Sequence, residues 1–218
     1  MQLPLSSRLL AHRGLWQSNG TPNSLEALVA AAEHGFGVET DIRDCLGSLV
    51  IGHDPADVDA LQATSALQSM VTAAPLPMVL ALNVKADGLA PLLDPVLDLV
   101  ATHLTFFFDM SLPQLVTYSR QELPVAVRVS EYEPLRPELF AKLNLRTRVW
   151  LDAFDSDWWL DEPQITALAS SGTIIVVSPE LHGRDPERVW NWFVQSANQG
   201  LDVLLCTDEP QQVLEAAK

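Results

Sequence analysis

"TIIVVSPELHGRDPERVWNWFVQSANQGLDVLLCT", residues 173–207, carries one complete structural unit. Residues 173–180 form a β-branched, apolar run that reads as a strand. Residues 185–200 read as a helix that stops at Gly200. Residues 201–207 are apolar again and read as the next strand. Strand, helix and strand in that order form a βαβ unit, which joins two parallel strands by a crossover.

The alternation continues outward from this unit. Strands are read at 8–12, 37–42, 77–85, 104–110, 124–130 and 148–154, with 48–54 as an antiparallel continuation of the second across the Asp44–Gly47 turn. Helices are read at 23–35, 56–70, 88–103, 111–121, 133–144, 161–172 and 209–218. The strand runs are continuously apolar, as strands buried on both faces are. Eight βα units predict an α/β fold of the TIM (β/α)8 barrel type, in one domain over 1–218. An open doubly wound sheet is the competing architecture.

The formal net charge is −15. A field of that sign repels phosphate backbones and anionic lipid, so no nucleic acid and no membrane surface is expected as a partner. It still admits a small anionic substrate, because a metal ion and a few cations invert the field within one pocket. The two cysteines, Cys45 and Cys206, form no metal clip or disulfide framework. The N-terminal stretch lacks a secretory pattern, and no apolar run reaches the roughly 18 residues of a membrane span. These features predict a cytoplasmic protein, a monomer or homodimer.

In a barrel of this kind functional groups gather where the strands end. The predicted strands end in His12-Arg13, His53-Asp54, Asn83 with Lys85, Asp109, Arg128 with Ser130, Asp152, Glu180 and Thr207-Asp208. Within "VETDI", residues 38–42, Glu39 and Asp41 are two apart and share one face of the strand. Two carboxylates held together repel unless a proton or cation sits between them, and a hard divalent ion bound through oxygen resolves this. Asn83 and Lys85 repeat the spacing, offering a third oxygen and a cation for an anionic substrate. His12 and His53 suit acid–base work, and the fork of Arg13 suits a phosphate oxygen pair. Glu180 and His182, just past the seventh strand, are read as substrate contacts, whereas Trp190 and Trp192 are read as packing.

At "HRG", "PNS", "VETDI", "GHD", "LNVK" and "CTDEP" the chain resembles the glycerophosphodiester phosphodiesterase family, from Ala11 to Pro210. The resemblance implies a TIM barrel that hydrolyses phosphodiesters with a divalent metal, Mg²⁺ or Ca²⁺. It implies His12 and His53 as the acid–base pair, Arg13 and Lys85 as phosphate contacts, and Glu39 and Asp41 as metal ligands. Three departures stand out. Asn83 occupies the place of the family's third metal-binding glutamate. "TPNS" lacks the glutamate of the family's Pro-Glu-Asn motif. The connection between Asp54 and Asn83 is short, where the family inserts a segment over the glycerol side of its substrate. Losing one carboxylate weakens the pull on a divalent ion. Two alternatives therefore stand beside the hydrolase: a barrel that binds a phosphorylated small molecule without turnover, and a phosphomonoesterase.

Overall fold

A computed structural model describes residues 3–143, 145–161 and 163–217. Nine strands are present among them: β1 (Leu9–His12), β2 (Gly37–Cys45), β3 (Ser48–Ile51), β4 (Val79–Val84), β5 (Leu104–Phe108), β6 (Val127–Val129), β7 (Arg148–Leu151), β8 (Thr173–Val177) and β9 (Val203–Thr207). Eight of them are parallel, in the order β5-β4-β2-β1-β9-β8-β7-β6, and β3 adds antiparallel to β2. The ends of this sheet meet through one parallel bridge, Phe107 to Val125. Phe107 accepts from the Ala126 amide at 2.9 Å and donates to the Pro124 carbonyl at 2.8 Å. The circle is thereby closed at its thinnest seam, and the fold is a TIM barrel.

The helices are α1 (Trp16–Asn19), α2 (Leu25–Glu33), α3 (Ala63–Ala73), α4 (Asp94–Val100), α5 (Leu112–Arg120), α6 (Pro137–Lys142), α7 (Pro163–Leu168), α8 (Glu187–Asn198) and α9 (Pro210–Ala216). Their apolar faces bury against the outside of the strands, forming the larger of two cores. Trp159 packs edge-on against Trp192 in this outer layer, with ring centres 4.7 Å apart. The smaller core fills the barrel itself and includes Leu10, Ala81, Phe106, Phe108, Trp150 and Ile175. Phe108 and Trp150 stack there at 3.7 Å between ring centres. Burying each such side chain contributes about 1.5–3 kcal/mol.

The elements differ from their sequence limits for local reasons. The helix expected from residue 56 starts at Ala63, because the Ile51 amide donates to Leu61 and Val50 bridges Gln62, holding those residues extended. The 88–103 stretch divides into a short 3-10 turn at Ala90–Leu92 and α4, with Pro91 and Pro95 opening the two pieces. β3 ends at Ile51, and the Gly52 amide makes one further bond to β2, to the Asp41 carbonyl at 3.0 Å. After β8 the chain turns at Pro179, so Glu180 and His182 lie on a 3-10 turn, Pro179–His182, and not on the strand. The β2–β3 turn places Leu46 and Gly47 at φ 49° and 81°, the two positive values that a tight hairpin needs. The expected helices at 133–144 and 161–172 shorten to α6 and α7; Asn144 and Glu162 fall outside the described residues.

Candidate active site

Strand register decides which side chains enter the barrel. Leu10 lies beside Gly37, and two residues on His12 lies beside Glu39. Glu39 in turn pairs with Ala81, and Asp41 with Asn83. Leu10 and Ala81 belong to the barrel interior. Strand alternation therefore turns His12, Glu39, Asp41 and Asn83 inward as well, at the C-terminal mouth. Glu39 and Asp41 are essentially inaccessible to solvent.

The loop after β1 brings the cations. Arg13 adopts φ 57°, a left-handed turn, and its Nε comes 3.1 Å from Asp41 Oδ2. Gly14 follows at φ 87°, and a Cβ there would stand 2.5 Å from the Ala27 backbone at the start of α2. Only glycine fits this turn against the helix. Asn23 is also left-handed, at φ 64°, a conformation asparagine tolerates. Its Nδ2 donates to Asp41 Oδ2 at 2.8 Å, while its Oδ1 accepts from Thr40 Oγ1 at 2.8 Å. Ser24, next in the chain, caps α2 through the Ala27 amide. Lys85 reaches over from the end of β4, its Nζ 3.3 Å from Asp41 Oδ1 and 3.8 Å from Asp109 Oδ2.

His12 lies between two acids. Its Nδ1 is 2.9 Å from Asp208 Oδ1, and its Nε2 is 4.0 Å from Glu39 Oε2. Burial alone would lower the His12 pKa. The Asp208 hydrogen bond and the charges of Glu39 and Asp208 outweigh burial and the opposing Arg13, and the pKa is raised. The Glu39 carboxyl is raised to about 7: burial and the Asp41 charge push it up, outweighing the pull of His12, Arg13 and Lys85. The Trp16 indole also donates to Asp208, at 3.4 Å.

Around the rim the remaining sequence candidates separate. His53 is half exposed and pairs through Nδ1 with Asp54 Oδ1 at 2.9 Å, outside direct contact with the His12 cluster. The Asp54 carboxyl is held below its ordinary range by His53 first, with Arg13 and Arg43 contributing, so this loop lies within the field of the mouth. His182 Nε2 is 2.8 Å from Asp152 Oδ1, and its ring leans on Phe154 at 5.0 Å between centres. Glu180 accepts short hydrogen bonds from Ser178 and Thr207, which occupy both its oxygens. Asp109 ties Lys85 to Arg128, whose NH1 lies 2.6 Å from Asp109 Oδ1. Beside that pair a cavity of about 210 Å³ opens between α5 and α6, walled by Met110, Leu115, Val127 and Leu139.

The sequence alone gives Asp208, Asn23 and Asp109 no partners. Asp208 orients His12, Asn23 orients Asp41, and Asp109 links two cations. The signal for Asn23 was its position in "TPNS", where an asparagine before a serine N-cap favours a left-handed turn.

At the mouth, two buried oxygens have no hydrogen-bond partner among the described residues: Asn83 Oδ1, and Asp41 Oδ1, which the Lys85 ammonium approaches as an ion pair. They belong to neighbouring inward residues of β2 and β4. With Glu39 they make a set of hard oxygen donors, the kind that suits a divalent cation. Among the described residues no group of three or more histidines, cysteines and carboxylates stands ready to hold a metal, so any such site rests on the Asn83 amide.

No protein-family model matches the chain, and no curated protein matches it by sequence. Solved structures do resemble it. A phosphodiesterase from Oleispira antarctica, described in complex with the product sn-glycerol-3-phosphate, superposes with a TM-score of 0.65 at 18% identity, covering 95% of each chain. A glycerophosphodiester phosphodiesterase from Agrobacterium tumefaciens gives 0.62 at 15% identity, over 95% of this chain and 98% of that one. A glycerophosphoryl diester phosphodiesterase from Parabacteroides distasonis gives 0.56 at 13% identity, over 89% and 80%. At these identities the likeness establishes the barrel fold, which those enzymes share with this chain.

Proposed function

We propose that the chain is a phosphoric diester hydrolase acting on a glycerophosphodiester-like small molecule with a divalent metal, Mg²⁺ or Ca²⁺. One observation carries the reading. A histidine oriented by Asp208 faces the inward pair Glu39 and Asp41, with Arg13 and Lys85 at the same carboxylate. The three enzymes with the same barrel act on this substrate class, and one is described with sn-glycerol-3-phosphate as its product.

The residues present fit a metal. Glu39, Asp41 and Asn83 would hold it; Asn83 Oδ1 has no hydrogen-bond partner, and Asp41 Oδ1 has only its ion pair with Lys85. When bound, a divalent cation polarises a phosphate oxygen and offsets charge growing at phosphorus. Arg13 and Lys85 bind the non-bridging oxygens, Arg13 through its fork and Lys85 as a point charge. Asp208 accepts the His12 Nδ1 proton, leaving Nε2 directed at the mouth to exchange a proton with the attacking or departing oxygen. His53, paired with Asp54 in the loop after β3, is the second proton carrier. The attacking group is water or a hydroxyl of the substrate itself. The cavity beside Asp109 and Arg128 gives the departing alcohol an apolar wall.

A second reading is favoured by Asn83, which removes one negative charge from the donor set. In it, the barrel binds the phosphorylated molecule and does not turn it over. Hydrolysis of bis(p-nitrophenyl) phosphate and glycerophosphocholine with EDTA, Mg²⁺, Ca²⁺ or Mn²⁺ decides between them, with p-nitrophenyl phosphate as the monoester control. Metal-dependent release from the diesters supports the hydrolase. Binding without release in every arm supports the second reading, and preference for the monoester supports a phosphomonoesterase.

A further inference from the structure

The opposite end of the barrel holds an arrangement of the reverse sign. Arg148 opens β7, and Arg146 stands two residues before it. Both border the same two clefts. Arg148 lies two residues below the interior Trp150, so it points into the floor of the barrel, and its guanidinium covers the Phe106 ring at 5.2 Å. The side chain is mostly buried, and its hydrogen bond is a long one, 3.4 Å to the Val125 carbonyl. Among the described residues neither arginine forms an ion pair, although the chain carries 28 acidic side chains against 13 basic ones.

Two clefts, of about 400 and 610 Å³, meet at these arginines. Arg120, at the end of α5, adds a third guanidinium to the first cleft, and Ser170, Ser171 and Thr147 line the second. Two carboxylates also border the clefts, Glu122 and Asp202, and Asp202 is engaged at 2.6 Å by Thr173 Oγ1. A mostly buried guanidinium with a like charge beside it is costly unless an anion is near. Burial lowers the Arg148 pKa, Arg146 lowers it further, and Asp202 opposes them.

We propose that the N-terminal face of the barrel is a second anion site, built on Arg146 and Arg148 and taking a small phosphate-type oxyanion. Planar guanidiniums match a tetrahedral oxyanion through paired N–H donors. The site lies at the far end of the barrel from His12, and its existence is independent of the hydrolase reading. Its occupant neutralises a charge that is otherwise buried in the floor, so occupancy also stabilises the fold by mass action.

Calorimetric titration with inorganic phosphate tests the site. The wild-type chain binds phosphate at the base whether or not the mouth also does. Arg13→Ala with Lys85→Ala removes the phosphate contacts of the mouth and leaves one phosphate per chain bound. Arg146→Gln, at an exposed position, weakens that remaining site by about tenfold or more, as loss of a charge-assisted contact does. The same substitution leaves diester turnover unchanged. Arg148→Gln serves as a second variant, checked for folding by circular dichroism. Loss of all phosphate binding in the Arg13 and Lys85 double variant overturns the site, as does an unchanged affinity in Arg146→Gln.

Discussion

His12 and Asp208 are 196 residues apart in the chain and 2.9 Å apart in the fold. The parallel pairing of β1 with β9 brings them together, because Ala11 lies beside Thr207 and each polar residue follows at the next position. A barrel closes its first strand on its last, and this closure builds the orienting pair. Asp208→Asn leaves the shape intact but makes the partner of Nδ1 ambiguous. Turnover of a diester falls by about 10²-fold or more, with KM little changed. An equal fall in binding and turnover would mean that Asp208 only shapes the pocket.

On the proposed reading, Asn83 sets how tightly a divalent cation is held. Asn83→Asp places a second carboxylate directly beside Asp41 in the strand register. Calorimetry with Mg²⁺ or Ca²⁺ shows about tenfold tighter binding, since each carboxylate adds charge to the donor set. Asn83→Ala removes the unpartnered Oδ1 and weakens binding by a similar factor. An affinity that ignores both substitutions places the metal elsewhere.

Gly14 carries the turn that aims Arg13. With φ 87° and backbone atoms of Ala27 and Leu28 2.5–2.7 Å from an added Cβ, Gly14→Ala strains the loop and pushes α2 outward. Urea unfolding shows a loss of about 1–3 kcal/mol. Turnover falls as well, because Arg13 no longer meets Asp41. A variant with unchanged stability and unchanged activity would contradict the close approach.

Glu131 links the loops that follow β6 and β7. Its carboxylate accepts from the Phe154, Asp155 and Ser156 amides at 3.1, 3.0 and 3.2 Å. Burial pushes its pKa up, but these hydrogen bonds outweigh burial and hold it below the ordinary carboxylate value. A depressed folded pKa gives stability that is present above the unfolded value, near pH 4–5, and is lost as pH falls through the folded value. Glu131→Gln costs about 1 kcal/mol at pH 7, discounted for its exposure, and flattens the acid side of the stability curve. Denaturant midpoints between pH 3 and pH 7 measure both effects. An acid limb identical to wild type removes Glu131 from the account.

The barrel was legible because its signal repeats. Each strand is an apolar run, and each is followed by a helix with a recognisable stop, so errors of a few residues at Ile51 or Ala63 do not change the topology. The inward face of the mouth was legible for the same reason. Glu39 with Asp41, and Asn83 with Lys85, share a face by alternation alone. Partners across the barrel were not legible. The pairing of His12 with Asp208, and of Asn23 with Asp41, depends on closure and on left-handed turns that no local pattern specifies. Glu180 shows the limit from the other side. Its place after a strand suggests a substrate contact, but its hydrogen bonds from Ser178 and Thr207 are partners that no local pattern specifies.

The most direct measurement is the release of glycerol 3-phosphate from glycerophosphocholine by the wild-type chain and by His12→Ala, each with Mg²⁺, Ca²⁺ or EDTA. The wild type releases it only with the divalent cation, and release falls by at least about 10²-fold in His12→Ala. Release that survives His12→Ala, or no release by the wild type with either metal, would contradict the proposed function.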